Sequence, residues 1–256
     1  MTKNIVVFSG TSDSVEIIKL LVKNGFNVIA SVATNEGTKM LSNIDNIKIS
    51  EERLDNEKMT EFLIKSKTNI VVDGSHPYAE NVSKTAIEVC KNIGIKYIRY
   101  ERPSEGVNDN CIFVENYEKA VEFVEKINGN ILVTTGVNNI EKYMALNDYK
   151  NRIFARVLNN EKSYSKAKDI GLSDEHILQG NGIYTTSDNI DVIHKYNIKA
   201  VITKDSGKAG GFLEKAQAAK ICDIPIVIIK RPSVQYGNVT DSIFGVLDII
   251  KEGDTL

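Results

Sequence analysis

Two short segments of this chain recur in order, and that recurrence constrains the fold more than any other feature of the sequence. Asn4-Ile-Val-Val-Phe-Ser-Gly10 aligns without a gap on Asn130-Ile-Leu-Val-Thr-Thr-Gly136, 126 residues later. Ile95-Lys-Tyr-Ile-Arg-Tyr-Glu-Arg-Pro-Ser104 aligns on Ile224-Pro-Ile-Val-Ile-Ile-Lys-Arg-Pro-Ser233, 129 residues later, and the shared Arg-Pro-Ser endings hold two of only four prolines. A single match of this kind is the ordinary signature of an apolar strand running into a turn. Two matches in the same order at nearly the same spacing predict two related halves.

Each half alternates short aliphatic runs with longer stretches of helical spacing, the pattern of parallel strands joined by crossover helices. In the first half the strands fall at 4–9, 26–33, 46–49, 70–73 and 95–100, with helices at 12–23, at 55–65 and from Pro77 to near Gly94. Val15, Ile18, Leu21 and Val22 recur at helical spacing, and Asn24-Gly25 stops that helix. The expected fold is therefore α/β, two Rossmann-like parallel-sheet halves with a cleft between them. The boundary follows Pro103, where 104–110 is polar and turn-rich, giving an N-terminal half 1–103 and a C-terminal half 104–256. The last helix, roughly 240–251, either stays with the second half or crosses back to the first.

Composition excludes several classes. A chain of 256 residues with 42% hydrophobic and 26% charged residues is neither disordered nor in need of a disulfide or metal staple. With 32 basic against 34 acidic residues, it has no excess of positive charge to form a general nucleic-acid surface. Cys90, Cys111 and Cys222 are unpaired in number and lie far from any histidine pattern, so no metal is expected and a reducing, cytoplasmic setting is. The N-terminal apolar run is too short for a signal peptide, and no run approaches the ~18 apolar residues of a membrane span.

Ligands of open parallel sheets bind beyond the carboxyl ends of the strands, so strand-following residues are the candidates for chemistry. Gly10-Thr11-Ser12-Asp13 leaves a strand for a helix, where backbone N–H groups hold a phosphate; Ser12 or Asp13 is equally an ordinary helix N-cap. Thr34-Asn35-Glu36 sits where the adenosine ribose of a dinucleotide would lie, and leaves NADH and NADPH both open. Asp73-Gly74-Ser75-His76-Pro77-Tyr78 gathers an acid, a hydroxyl and one of three histidines at a strand end. Pro77 reads as a helix start with Ser75 or His76 near the N-cap, Ser75 and His76 as cofactor contacts, and His76 as a candidate proton donor. Asp73 and Ser75 serve equally well as partners for turn N–H groups.

In the second half, Lys204-Asp205-Ser206-Gly207-Lys208-Ala209-Gly210-Gly211 followed by a helix carrying Lys215 forms an anion site, yet lacks the Gly-Lys-Ser/Thr ending of an ATP-binding loop. Arg102, Arg156 and Arg231 each follow a strand. Basic groups converging from several strand ends suit a substrate with several carboxylates. His176 and His194 read as surface or helix residues, and no Gly-x-Ser-x-Gly elbow is present.

Taken in order along essentially the whole chain, these motifs resemble the precorrin-6A reductase family of corrin biosynthesis. The resemblance rests on Gly10-Thr11-Ser12-Asp13, Asp73-Gly74-Ser75-His76-Pro77-Tyr78-Ala79, Arg102-Pro103, Thr134-Thr135-Gly136, Arg156-Val157-Leu158, Lys204-Asp205-Ser206-Gly207 through Gly210 with Lys215, Ala218 and Ala219, and Arg231-Pro232. Ser9, Gly74, Ser75 and Asn159 depart from the usual glycine, alanine, threonine and proline. What the resemblance implies is hydride delivery from NADH or NADPH to C19 of a tetrapyrrole, precorrin-6A or cobalt-precorrin-6A. It further implies a dinucleotide on Gly10, Thr11, Ser12, Asp13, Thr34, Asn35, Ser75 and His76. Tetrapyrrole contacts would come from Tyr78, Arg102, Thr135, Gly136, Arg156, Lys204, Ser206, Gly207, Lys215 and Arg231. The Lys-, Asn- and Ile-rich composition of an AT-rich genome leans towards the cobalt form, with the metal part of the substrate. Two other readings fit two Rossmann-like halves: a nucleotide-sugar enzyme and a two-domain ligand sensor.

Overall fold

The computed structural model describes residues 2–103, 109–207 and 210–252, so most of the expected linker, 104–108, and Lys208 and Ala209 lie outside the described residues. The chain divides into two compact units, Met1–Pro103 with Pro232–Leu256, and Ser104–Arg231.

The first unit runs β1 (Asn4–Phe8), α1 (Ser12–Lys23), β2 (Asn27–Val32), α2 (Asn35–Leu41), β3 (Ile47–Glu51), α3 (Asn56–Lys65), β4 (Ile70–Asp73), α4 (Glu80–Ile93) and β5 (Lys96–Tyr100). After it come β6 (Cys111–Val114), α5 (Tyr117–Val124), β7 (Asn130–Val133), a 3-10 segment at Val137–Ala145, α6 (Tyr149–Arg152) and β8 (Ile153–Leu158). The second unit continues with α7 (Glu161–Asp169), β9 (Ile177–Gly180), α8 (Thr186–Lys195), β10 (Ile198–Lys204), α9 (Phe212–Ile221) and β11 (Ile226–Ile229). The chain closes with β12 (Val239–Thr240) and α10 (Ile243–Glu252).

Both sheets are six-stranded and parallel throughout, in the orders β12-β5-β4-β1-β2-β3 and β6-β11-β10-β7-β8-β9. Matching β1 to β7 and β5 to β11 makes the two orders identical, as the repeated segments require. The sixth strands are exchanged: β6, which follows β5 in the chain, pairs with β11, while β12, which follows β11, pairs with β5. The last helix therefore belongs to the first unit.

Parallel strands covered on both faces read as continuous aliphatic runs, and β1 is buried from Ile5 to Phe8. Ile5, Val7, Val72 and Ile98 pack under α1 and α10, where Ile17, Ile18, Leu21, Val246 and Ile250 complete one core layer. Val6, Phe8, Val71 and Tyr97 face the other way, onto Met59 and Leu63 of α3 and Ala86, Val89 and Cys90 of α4. Burial pushes the Cys90 thiol up to about 12, helped by the charge on Asp73. In the second unit Leu132, Val201, Ile226 and Ile228 form the corresponding layer with Phe212, Ala216 and Ala219 of α9.

Local capping corrects two expectations. Thr11, not Ser12 or Asp13, is the N-cap of α1: its hydroxyl accepts the Ser14 N–H in a reciprocal capping box. Nor does α4 begin at Pro77, since the helix starts at Glu80 behind Ala79, which offers no side-chain cap. Of the two alternatives for His176 the helical one holds: it closes a 3-10 turn at Asp174–His176 and is buried, its ring stacked on Phe154 at 4.3 Å. Among the described residues no helix is long and apolar enough to cross a membrane.

The packing of α10 on the first sheet sets a stability test. Ile250 is fully buried, so Ile250→Ala should lower the unfolding free energy by about 2–5 kcal/mol in chemical denaturation. Phe244, 68% exposed on the same helix, should tolerate Phe244→Ala within about 0.5 kcal/mol.

Candidate functional site

Each sheet has one point where neighbouring strands lead off to opposite sides, and there the carboxyl-end turns separate to leave room for a ligand. In the first unit it lies between β1 and β4, in the second between β7 and β10.

At the β1 turn, Gly10 holds φ 132, a conformation natural only to glycine, and is exposed. The Gly10 and Thr11 N–H groups donate to the Ser14 hydroxyl at 3.2 and 3.1 Å. Those bonds leave the N–H groups of Ser12 and Asp13, in the first turn of α1, to face an anion. Thr11 is buried and donates its hydroxyl to the Gly74 carbonyl at 2.9 Å, tying the β1 and β4 turns together. The approach is close enough that a Cβ on Gly74 would stand 2.8 Å from the Ser14 Cβ. Asp13 is paired with Arg102 at 2.7 Å, which neutralises the carboxylate nearest the helix N-terminus. Arg102, only 8% exposed, thus acts within the first unit. Thr34 and Asn35 are exposed at the β2 tip, where Thr34 caps α2 by accepting the Gly37 N–H.

The β4 turn rests on an ionic network that sequence reading missed. Asp73 and Arg99 are fully buried and paired at 3.0 Å. Asp73 also accepts bonds from the Ser75 N–H, the Ser83 hydroxyl and the Tyr97 hydroxyl, at 3.0, 2.6 and 2.6 Å. Arg99 reaches Ser75 Oγ at 3.2 Å and Glu101 at 2.8 Å, and stacks over Tyr236. Burial opposes the Arg99 charge, but Asp73 and Glu101 outweigh it and hold the guanidinium above its ordinary pKa. Burial and the Asp73 charge drive the Tyr97 phenol far up. A signal was present in the sequence: Tyr97, Arg99 and Glu101 alternate along a strand that the sheet must bury. Above this network His76 is exposed, and its Nδ1 accepts the Tyr78 N–H at 3.2 Å, which places the proton of the neutral ring on Nε2.

In the second unit a cavity of about 180 Å³ opens over the switch point, walled by Thr134, Gly136, Arg156, Tyr184, Gly211 and Lys215 among others. Arg156 lies over the Tyr184 ring at 3.9 Å and donates from Nη1 to Asn189 at 2.8 Å. Its Nε and Nη2 are buried without a hydrogen-bond partner among the described residues. Burial lowers the Arg156 pKa despite Tyr184 and Asp188, and lowers Lys215 to about 8, with Arg156 adding to the effect. Lys215 Nζ donates to the Gly210 carbonyl at 2.6 Å.

The other second-unit candidates are placed differently. Thr135 turns inward onto the Tyr143 hydroxyl at 3.0 Å, and Thr134 takes the cavity wall instead. Arg231 is engaged by Asp205: its Nε donates to the Asp205 carbonyl at 3.0 Å and meets the carboxylate at 3.2 Å. Lys204, lowered to about 8 by burial, stands 6.0 Å from the Tyr117 ring centroid. Ser206 packs so closely on Gly210 that a side chain there would collide with it, and Gly207 is buried at φ 67. Tyr78 is half-buried in the first unit, beside His76.

Residues 4–251 match the family described as Precorrin-6x reductase CbiJ/CobK. The chain is 34% identical over 240 residues to a cobalt-precorrin-6A reductase of Priestia megaterium, covering 92% of this chain and 93% of that one. It is 35% identical over 242 residues to a cobalt-precorrin-6A reductase of Methanocaldococcus jannaschii, covering 94% and 95%. Among solved structures, a CobK precorrin-6A reductase superposes with a TM-score of 0.79 at 19% identity, covering 98% of this chain and 97% of that one. Two exchanged parallel sheets, strand-end turns in matching order and a family match spanning nearly every residue lead to one conclusion: the chain belongs to the Precorrin-6x reductase CbiJ/CobK family.

Proposed function

We propose that the chain reduces cobalt-precorrin-6A to cobalt-precorrin-6B with NADH, in cobalamin biosynthesis. The observation that carries this reading is the second unit's cavity, where Arg156 and Lys215 are both desolvated and two guanidinium nitrogens of Arg156 lack acceptors among the described residues. Buried cationic donors without acceptors call for an anionic ligand, and a tetrapyrrole rimmed with acetate and propionate groups supplies carboxylates. Arg156 presents its planar fork to one carboxylate, and Lys215 a point charge to the same or a neighbouring one.

The first unit fits a dinucleotide. Gly10 leaves open space where any other side chain would project, and the first turn of α1 offers N–H groups to a pyrophosphate once Arg102 has neutralised Asp13. At the β2 tip, Glu36 on α2 and Glu51 at the end of β3 supply carboxylates suited to a ribose diol and unfavourable to a 2′-phosphate. A bound nicotinamide dinucleotide supplies the hydride, which is added at C19. The reduction also consumes a proton, which the doubly protonated imidazolium of His76 gives up from Nε2 to return to the neutral ring; in the charged form Nδ1 carries a proton too and releases the Tyr78 N–H. Otherwise the chain's work is positioning, since hydride transfer depends on near-attack geometry.

Substrate-dependent loss of NADH absorbance tests the reaction, with NADH preferred over NADPH by about tenfold or more in kcat/KM (~1.4 kcal/mol). A nucleotide-sugar enzyme or a ligand sensor would show no such loss. Arg156→Met should raise the tetrapyrrole KM by about tenfold or more while the NADH Kd stays within about twofold. His76→Ala should lower kcat by about 100-fold and flatten its pH profile; near-full turnover with an unchanged profile removes His76 as donor.

Lys215 fixes the sign of a pH dependence. With its folded pKa lowered to about 8 against an ordinary 10.5, the free protein sheds this proton before the unfolded chain does. Unliganded stability should therefore rise as pH increases from about 8 to 10.5, and Lys215→Met should remove that slope. Carboxylate binding favours the charged amine, so the tetrapyrrole KM should increase as pH is raised through about 8.

A further inference from the structure

The two units offer an internal control for the buried network beneath the β4 turn. Asp73 is the register partner of Arg99 across β4 and β5, and the same two points in the second sheet are Thr203 and Ile228. Tyr97 corresponds to Ile226 in the repeated segments. A sheet of identical order thus closes there with uncharged residues. Burying a carboxylate and a guanidinium carries a desolvation penalty that an apolar pair avoids, so the first unit's charges are not dictated by the fold.

What the network holds is local. Asp73 accepts the Ser75 N–H, and Arg99 Nη1 reaches both the Asp73 carbonyl, at 3.4 Å, and Ser75 Oγ, at 3.2 Å. On the far side of the turn, Ser83 in the first part of α4 donates to Asp73 Oδ2 at 2.6 Å. The bonds bracket His76, Pro77 and Tyr78 from both ends. No side chain caps α4 at Ala79, so the turn is secured from behind. Asp73 and Arg99 are each 0% exposed and are out of a ligand's reach.

We infer that Asp73 and Arg99 are positioning residues for the reduction, fixing the Ser75–Tyr78 turn in one conformation while touching neither cofactor nor substrate. The inference rests on the reading that this turn belongs to the cofactor site. Removing one charge alone would strand the other, so the test transplants the second unit's solution: Asp73→Thr with Tyr97→Ile and Arg99→Ile. The triple variant should fold, as judged by circular dichroism. Its amides at 74–80 should exchange with deuterium about tenfold faster or more, with those of β1 unchanged, and kcat should fall by about 10- to 100-fold. The tetrapyrrole KM should stay within about twofold of wild type, a split that general destabilisation would not give.

Unchanged exchange at 74–80, or faster exchange with wild-type kcat, overturns the inference. If the triple variant does not fold, Arg99→Lys decides. It keeps the charge but loses the fork joining Asp73, Ser75 and Glu101, so a folded protein with kcat about tenfold lower is expected and wild-type kcat overturns the role. Gly10→Val separates the two readings. Undiminished NADH binding by that variant defeats the cofactor assignment, whereas the exchange measurement still reports on the turn.

Discussion

A parallel strand cannot be followed directly by its neighbour, because the chain must first return to the same end of the sheet. Everything else in this protein depends on that constraint. Every strand exit lies on one edge of its sheet, helices occupy both faces, and polar side chains at the exits need not enter the core. The constraint also explains the exchanged strands. After β5 and again after β11, an Arg-Pro pair ends a strand, and the next strand completes the other unit's sheet. Each unit therefore depends on a segment that the chain reaches only after leaving it, or before entering its own repeat.

The two switch points share a scaffold but present positive charge by different means. In the first unit the β1 turn runs straight into α1, so backbone N–H groups and a helix N-terminus face outward, and Arg102 is spent on Asp13. In the second, the β7 turn enters a 3-10 segment, and the corresponding charge comes from side chains, Arg156 and Lys215. Backbone donors at a helix start suit a phosphate group approached closely, while a guanidinium fork and an ammonium suit carboxylates spread round a large ring.

Much of this was legible in residues. The repeated segments mark β1 with β7 and β5 with β11, and aliphatic runs locate the buried strands, because a sheet covered on both faces admits little else. What stayed hidden has a physical reason in each case. Strand β12 is only two residues long, and β6, though as long as β4, is an edge strand that is only partly buried and so lacks the fully buried aliphatic run that marks β4. Pro77 carries the usual helix-start signal, yet α4 begins at Glu80 because Asp73 and Arg99 hold the intervening turn. Thr11 displaces Ser12 as cap because its hydroxyl can also reach Gly74, a tertiary contact no local rule contains. Arg99 lies within the β5 strand, and its burial follows from facing α4 beside Tyr97.

The arginines at corresponding places show how such a repeat diverges. Arg231 anchors the β10 turn through Asp205, at the rim of its sheet and half-buried. Its counterpart Arg102 pairs with Asp13 instead, so the β4 turn has no rim anchor of that kind. Arg99, three residues earlier in the strand and fully buried, takes over the task with Asp73. The Arg231–Asp205 pair keeps some contact with water, whereas the fully buried Asp73–Arg99 pair has its polar atoms engaged on all sides and resists displacement. Moving the anchor inward both rigidifies the β4 turn and frees Arg102 to neutralise Asp13 at the start of α1. Both changes act on the same switch point, which ties the buried network and the helix N-terminus into one arrangement of the first unit.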